Sequence, residues 1–166
     1  MEFLNLVRKR RSIRKFKSDP VPREKLEYVL ESARLAPSWG NSQCWKFIIV
    51  SDEGKRRAIA IRDWVAEAPV IIVGCAYPHL SGSRFNQQYY MADMGIAMEH
   101  LILAAAEQGL GTCWVVGQFD EESVKQTLNI PKRIRVVALT PLGYPAEAPG
   151  PKNRKSFEEI VSYESW

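Results

Sequence analysis

Residues 8–17 read RKRRSIRKFK, seven cationic side chains in ten positions broken by one serine, one isoleucine and one phenylalanine. Such a run can face a nucleic acid, bulk solvent or a single phosphate. In an extended chain, alternate side chains point to opposite sides. Arg10, Ser12 and Arg14 then share one side, and Ile13 lies on the other. A guanidinium is a rigid fork of donors, so two of them flanking a hydroxyl can grip a phosphate. A solvated face is the ordinary reading of a charge run, but it does not account for this alternation. A nucleic-acid surface requires the basic face to continue elsewhere, with exposed aromatics or a readable motif. No helix-turn-helix, ribonucleoprotein or zinc-finger signature is present. A second cationic pair, Lys152 and Arg154, stands near the other end of the chain. Two such clusters in one domain repel unless a shared anion sits between them. The alternative for the second pair is a floppy basic tail. The capping-box pattern Ser156-Phe-Glu-Glu159 just after it points instead to an ordered arm.

The remaining reactive side chains carry less. Cys44, Cys75 and Cys113 are odd in number and far apart, with neither CxxC nor a metal-ligand spacing. Apolar neighbours such as Ile72-Val73-Gly74 favour buried, inert thiols. The 166 residues indicate one domain, 1–166, with 143–166 as a C-terminal arm. Apolar residues at 46% and charged residues at 25% are ordinary globular usage. The net charge of +4 suits anionic ligands without arguing for DNA or membrane. MEFLNLVRKR carries no signal-peptide pattern, and a reduced cytoplasm is the expected setting.

These residues need elements to hold them. The spacing predicts a short helix over 2–10, then an extended stretch through Ile13 and Phe16. A second helix runs over 24–36 and stops at Pro37, where Ser38-Trp-Gly-Asn-Ser42 reads as a loop. Residues 45–50 (WKFIIV) and 70–76 (VIIVGCA) read as buried strands, with a helix over 53–66 between them. A polar loop covers 77–86. Residues 91–106 are apolar almost all round, which predicts a buried helix. It is too short for a membrane span, and it carries Asp93, Glu99 and His100. Gly109 reads as a helix C-cap. Residues 113–116 read as extended, Asp120 caps a helix over 121–128, and 135–142 is a third strand. Helices and strands do not alternate strictly. The fold class expected is therefore α+β, layered, with a central mixed or mostly antiparallel sheet flanked by helices. One small domain would struggle to cover the 91–106 helix, whereas the equivalent helix of a second copy would cover it. A homodimer is expected, with a monomer built round a central helix as the alternative.

Four segments, in order, resemble the FMN-dependent nitroreductase family: Arg10–Phe16 (RRSIRKF), Ala36–Gln43 (APSWGNSQ), Gly109–Trp114 (GLGTCW) and Lys152–Val161 (KNRKSFEEIV). The resemblance implies that Arg10, Arg11, Ser12, Lys152 and Arg154 converge on the FMN phosphate, and that Arg14 stands near the pyrimidine edge of the flavin. It implies that Pro37, Ser38, Trp39, Asn41 and Gln43 come from the neighbouring subunit and cover the ring. It also implies that Trp114, Val115, Val116 and Gly117 lie along the flavin, with a backbone N–H toward the ring nitrogen that carries the hydride. Two departures stand out. Some larger relatives have an acidic side chain where this chain has Val116. They also place an Asn and a Lys before the second strand, with no clear equivalents here at 61–64.

The function implied is ping-pong hydride transfer from NADH or NADPH through FMN to a nitroaromatic, quinone or similar electron-poor small molecule. No side chain is assigned as catalytic, because the cofactor carries the chemistry. No metal, nucleic acid or membrane partner is expected. The rivals are another flavin activity on the same scaffold (dehalogenase, ene-reductase or flavin-degrading enzyme) and, from a different class, a basic nucleic-acid-binding module.

Overall fold

The computed structural model describes residues 2–166, so Met1 of the expected 1–166 unit lies outside the description. The centre of the molecule is the strand β2 (Val70–Ala76), buried at every position. It pairs antiparallel with β1 (Trp45–Val50) on one side and with β6 (Arg135–Gly143) on the other. The short β5 (Gly111–Thr112) adds antiparallel to β6, giving the order β1-β2-β6-β5. A small hairpin of β3 (Ser83–Arg84) and β4 (Gln87–Gln88) stands apart. The α+β expectation holds, and the named strands of the main sheet are all antiparallel.

Alternation along β2 explains its continuous apolar run. Val70 and Ile72 face one core, and Ile71, Val73 and Cys75 face a second. A strand covered on both faces has no polar side to show. The first core is closed by α2 (Arg23–Arg34) and the long α5 (Tyr89–Glu107), whose Met94, Met98 and Leu101 are fully buried. The second is closed by α3 (Glu53–Ile59), α4 (Asp63–Ala66) and α6 (Glu121–Leu128).

Three expectations shift. β1 is an edge strand in which only Val50 is buried, and it carries the exposed Lys46; a charge on an edge strand discourages strand addition. The single helix expected over 53–66 breaks at Ala60–Arg62, where the backbone is extended. On a continuous helix Ile59 and Val65 would stand about 120° apart around the axis. The break lets both enter the same core. The extended segment expected over 113–116 instead pairs earlier, at Gly111–Thr112, and afterwards only through the bridge of Val115 to Leu139.

The helix ends form as the sequence dictates. Asp120 Oδ1 accepts the Ser123 N–H at 2.8 Å and caps α6. After α5, Gly109 takes φ +74°, a left-handed conformation that glycine enters at no steric cost. It directs the Leu110 N–H onto the Ala105 carbonyl at 2.8 Å. The chain leaving α5 is thereby turned toward the N-terminal cationic stretch. α1 (Phe3–Lys9) carries the first two residues of that stretch, Arg8 and Lys9, in its last turn.

In the C-terminal arm both bonds of the capping box are present: the Ser156 N–H donates to Glu159 Oε2 at 2.7 Å, and the Glu159 N–H to Ser156 Oγ at 3.3 Å. Only one turn follows, with no helix. A single turn cannot offset the cost of nucleation unless something packs on it. Phe157 and Ile160 are both exposed here.

Candidate active site

The cationic stretch runs as an extended strip between two neighbours. Ser12 bridges Thr112 in parallel, with the Ile13 N–H on the Thr112 carbonyl at 2.8 Å. Farther on, Phe16 bridges Pro145, and the Lys17 N–H reaches the Tyr144 carbonyl at 2.8 Å. Ile13 is buried and sits on Gly111, where any Cβ would come within 2.8 Å of the isoleucine. With Ile13 turned inward, Arg10, Ser12 and Arg14 lie on the other side. Their reach shows at the Cys113 thiol. Burial pushes that thiol's pKa up, while Arg14, a hydrogen bond with Ser12, and Arg10 pull it back.

The two arginines open onto different cavities. Arg10 borders one of about 450 Å³, together with Arg8 and Lys9 at the end of α1, Arg11, the turn at 109–112 and the Glu147 carboxylate. Arg14 borders one of about 360 Å³, with Arg62 and Trp64 on its own side and Cys113–Val116 and Gln118 opposite. Along an extended strip the two residues are separated by roughly 13 Å. The Arg14 guanidinium stands 5.7 Å from the centre of the Trp64 ring, within cation–π range. No carboxylate borders this second cavity. Glu147 supplies the nearby negative charge: its Oε1 accepts the backbone N–H groups of Arg14 and Lys15 and ties the start of the C-terminal arm to the cationic strip.

The structure therefore places Arg10 at the first cavity and Arg14, Trp114, Val115 and Val116 at the second, with Ser12 between the two arginines on the strip and bordering neither. Gly117 turns away at φ +69° and borders a different depression. Arg11 is half-buried, with Nη1 folded back onto the carbonyls of Arg8 and Arg10, and its Nε is buried without a hydrogen-bond partner. Lys152 and Arg154 are exposed and border neither cavity, although Pro145, Ala148 and Pro149 of the same arm reach the first.

The loop of Pro37, Ser38, Trp39, Asn41 and Gln43 borders neither cavity. It folds over the start of α5, where the Trp39 N–H meets the buried Asp93 and its ring packs near Tyr89. Arg62 and Trp64 border the second cavity, and the sequence reading did not single them out. The helical pattern over 53–66 hid them, and the signal that could have exposed them is the poor helical register of Ile59 against Val65.

The donor set fits a phosphorylated, planar, electron-accepting group: guanidinium forks and a hydroxyl along one strip, then a wall of Trp114–Val116 with cations and no competing carboxylate. Among the described residues there is no cluster able to hold a metal ion, and no helix long and apolar enough to cross a membrane.

Comparison with known proteins leads the same way. A model of the Nitroreductase family matches residues 7–62 and 60–144. An NADH dehydrogenase/NAD(P)H nitroreductase of Archaeoglobus fulgidus is 34% identical over 165 residues, covering 95% of this chain and 90% of that one. An iodotyrosine deiodinase of Thermotoga neapolitana is 30% identical over 184 residues, covering 98% and 97%. Among solved structures, a nitroreductase family protein of Clostridium novyi superposes with a TM-score of 0.82 at 40% identity, over 92% and 89% of the two chains. An FMN-dependent nitroreductase of Clostridium difficile does so with a TM-score of 0.87 at 27% identity, over 99% and 100%. The strip at 10–16 and the segment at 109–116, which build the two cavities, both fall inside the matched span, and the chain belongs to the nitroreductase family.

Proposed function

We propose that this protein is an FMN-dependent oxidoreductase that takes reducing equivalents from NADH or NADPH and delivers them to nitroaromatic, quinone or similar electron-poor acceptors. The observation that carries the reading is the strip Arg10–Ser12–Arg14, which ends in an arginine-lined cavity at each end. When bound, FMN supplies the hydride chemistry, accepting from the nicotinamide and giving to the acceptor in turn.

The chain's own residues bind and tune. Arg10 and Ser12 would hold the phosphate, with Lys152 and Arg154 brought in by movement of the arm. Arg14 and Arg62 would place positive charge at the ring, and Trp114–Val116 would form its floor. Arg11 serves chiefly to cap α1, since its Nη1 already satisfies the carbonyls of Arg8 and Arg10.

The site is half built within one copy. The 37–43 loop borders neither cavity of its own copy, so a second copy supplies it in a homodimer. Two large apolar side chains of α5 left exposed, Met91 and Ile96, support this. So do the exposed side chains of Phe3, Leu4 and Val7 on α1 and of Phe157, Ile160, Tyr163 and Trp166 on the arm. The three free, buried thiols fit a reducing cytoplasm.

The deciding experiment loads the protein with FMN and varies reductant and acceptor together. Parallel double-reciprocal lines are expected. Riboflavin should bind more weakly than FMN by about 3 kcal/mol or more, because at least two charged hydrogen bonds are lost. Equal affinity for the two flavins, or intersecting lines, would overturn the reading. Reductive dehalogenation is the second reading, favoured by the deiodinase relative that aligns over nearly the full length of both chains; halide release from a halophenol would identify it.

A further inference from the structure

Asp93 is 3% exposed, lies on α5 outside both cavities, and has no part in the chemistry described so far. It is surrounded by donors from the 37–43 loop and the residue just after it, and from Ser81 ahead of the small hairpin. Oδ1 accepts the Trp39 N–H at 2.7 Å, and Oδ2 accepts the Ser81 hydroxyl at 2.8 Å and the Cys44 thiol at 3.4 Å. A carboxylate accepting several donors makes shorter and stronger bonds than an amide would.

What it holds is unusual. Gly40, Asn41 and Gln43 have φ of +56°, +54° and +46°. Asparagine tolerates that region, but a glutamine there is strained. A further bond, from the Gln43 N–H to Ser38 Oγ at 2.9 Å, closes the loop on itself. The Trp39 ring is wedged against Gly82, where a Cβ would lie 2.8 Å from it, and it stands 6.0 Å from the Tyr89 ring. Strain of this kind persists only where the surroundings over-determine it, and it gathers at ligand clamps.

We propose that Asp93 is a positioning residue for the reaction: it clamps residues 37–43 in their strained form, so that the loop meets the partner copy's cofactor and acceptor as a finished surface. The inference rests on reading this loop as the cover of a site in the second copy. Without the clamp, part of the acceptor's binding energy goes into ordering the loop.

The test uses the FMN-loaded protein, saturating NADH and p-nitrobenzoate as acceptor probe. It also follows hydrogen exchange over residues 37–43 and the absorption spectrum of the bound flavin. Asp93→Ala should speed exchange in that segment and raise KM for p-nitrobenzoate, each by about tenfold, while kcat stays within about threefold and the flavin spectrum shifts. Asp93→Asn should stay within about threefold of the parent in both, because its amide oxygen still accepts the Trp39 N–H. If Asp93→Ala changes neither exchange nor KM, Asp93 is not the clamp, and the reading of the loop as cover survives. If exchange quickens while KM and spectrum stay fixed, the loop does not cover a flavin, and the cover reading falls together with the proposal. Should Asp93→Ala fail to fold, Ser81→Ala removes one donor of three and should give the same pattern at about threefold; its absence there counts equally against the clamp.

Discussion

Arg10 and Arg14 are two positions either side of Ser12 and open onto different cavities, so their loss should have different consequences. Arg10→Ala is expected to weaken FMN binding equally in both redox states. An interaction equal in two states cannot shift the balance between them, so the midpoint potential should hardly move. Arg14→Ala should weaken the reduced flavin more. A charged contact of about 1.5–3 kcal/mol corresponds to a fall of roughly 30–60 mV for a two-electron couple. Dye-equilibrated reduction of both variants, FMN saturating, checks the pair; a shift in Arg10→Ala alone would reverse the assignment. The alternation behind this prediction was legible in the sequence, because Ile13 needs an apolar floor and a strip has only two sides. Arg62 and Trp64 were not legible. Their placement depends on a helix break that serves Ile59 and Val65, a tertiary demand that local pattern does not carry.

At the level of elements, Glu121 ties α6 to the sheet. Arg135 donates to it through Nε and Nη2, each at 3.0 Å, and the Val136 N–H and Lys125 Nζ reach Oε1, also at 3.0 Å. Burial works against its ionisation, but the hydrogen bonds from Arg135, Val136 and Lys125 prevail and hold its pKa down from 4.5 to about 2. A pKa depressed by folding adds stability that is complete above the unfolded value and disappears as pH falls through the folded one. Between pH 4.5 and about 2 the protein should therefore lose up to roughly 3 kcal/mol from this group, and Glu121→Gln should flatten that part of the stability–pH curve in chemical denaturation. Asp120→Ala, which removes the N-cap of the same helix, should cost about 1 kcal/mol at neutral pH. That cap, the turn after α5 and the central strand could all be read from sequence because each is decided by neighbouring residues. The edge position of β1 and the single turn in place of a helix in the arm could not, since both depend on what packs, or fails to pack, from a distance.

For the whole molecule, the expectation of an α5 buried on every side is met only in part. Met91 and Ile96 are 46% and 39% exposed and stand about 140° apart around the helix axis. On the proposed homodimer, Ile96→Glu should give a monomer in sedimentation at micromolar concentration, and the proposed composite site then requires flavin to be lost in the same step. A monomer that keeps its flavin would refute the composite site. The layered architecture was legible from helices and strands that do not alternate strictly along the chain.

Cys44, Cys75 and Cys113 are free and buried, and burial raises the pKa of all three, that of Cys75 to about 11. Only a thiolate attacks an alkylating reagent at a useful rate, so at neutral pH the native fold has almost nothing for such a reagent to find. Iodoacetamide should accordingly mark the opening of the chain. Incorporation by mass spectrometry should stay near zero in the folded protein, rise to three labels per chain in denaturant, and in between follow how often each layer of the core comes apart.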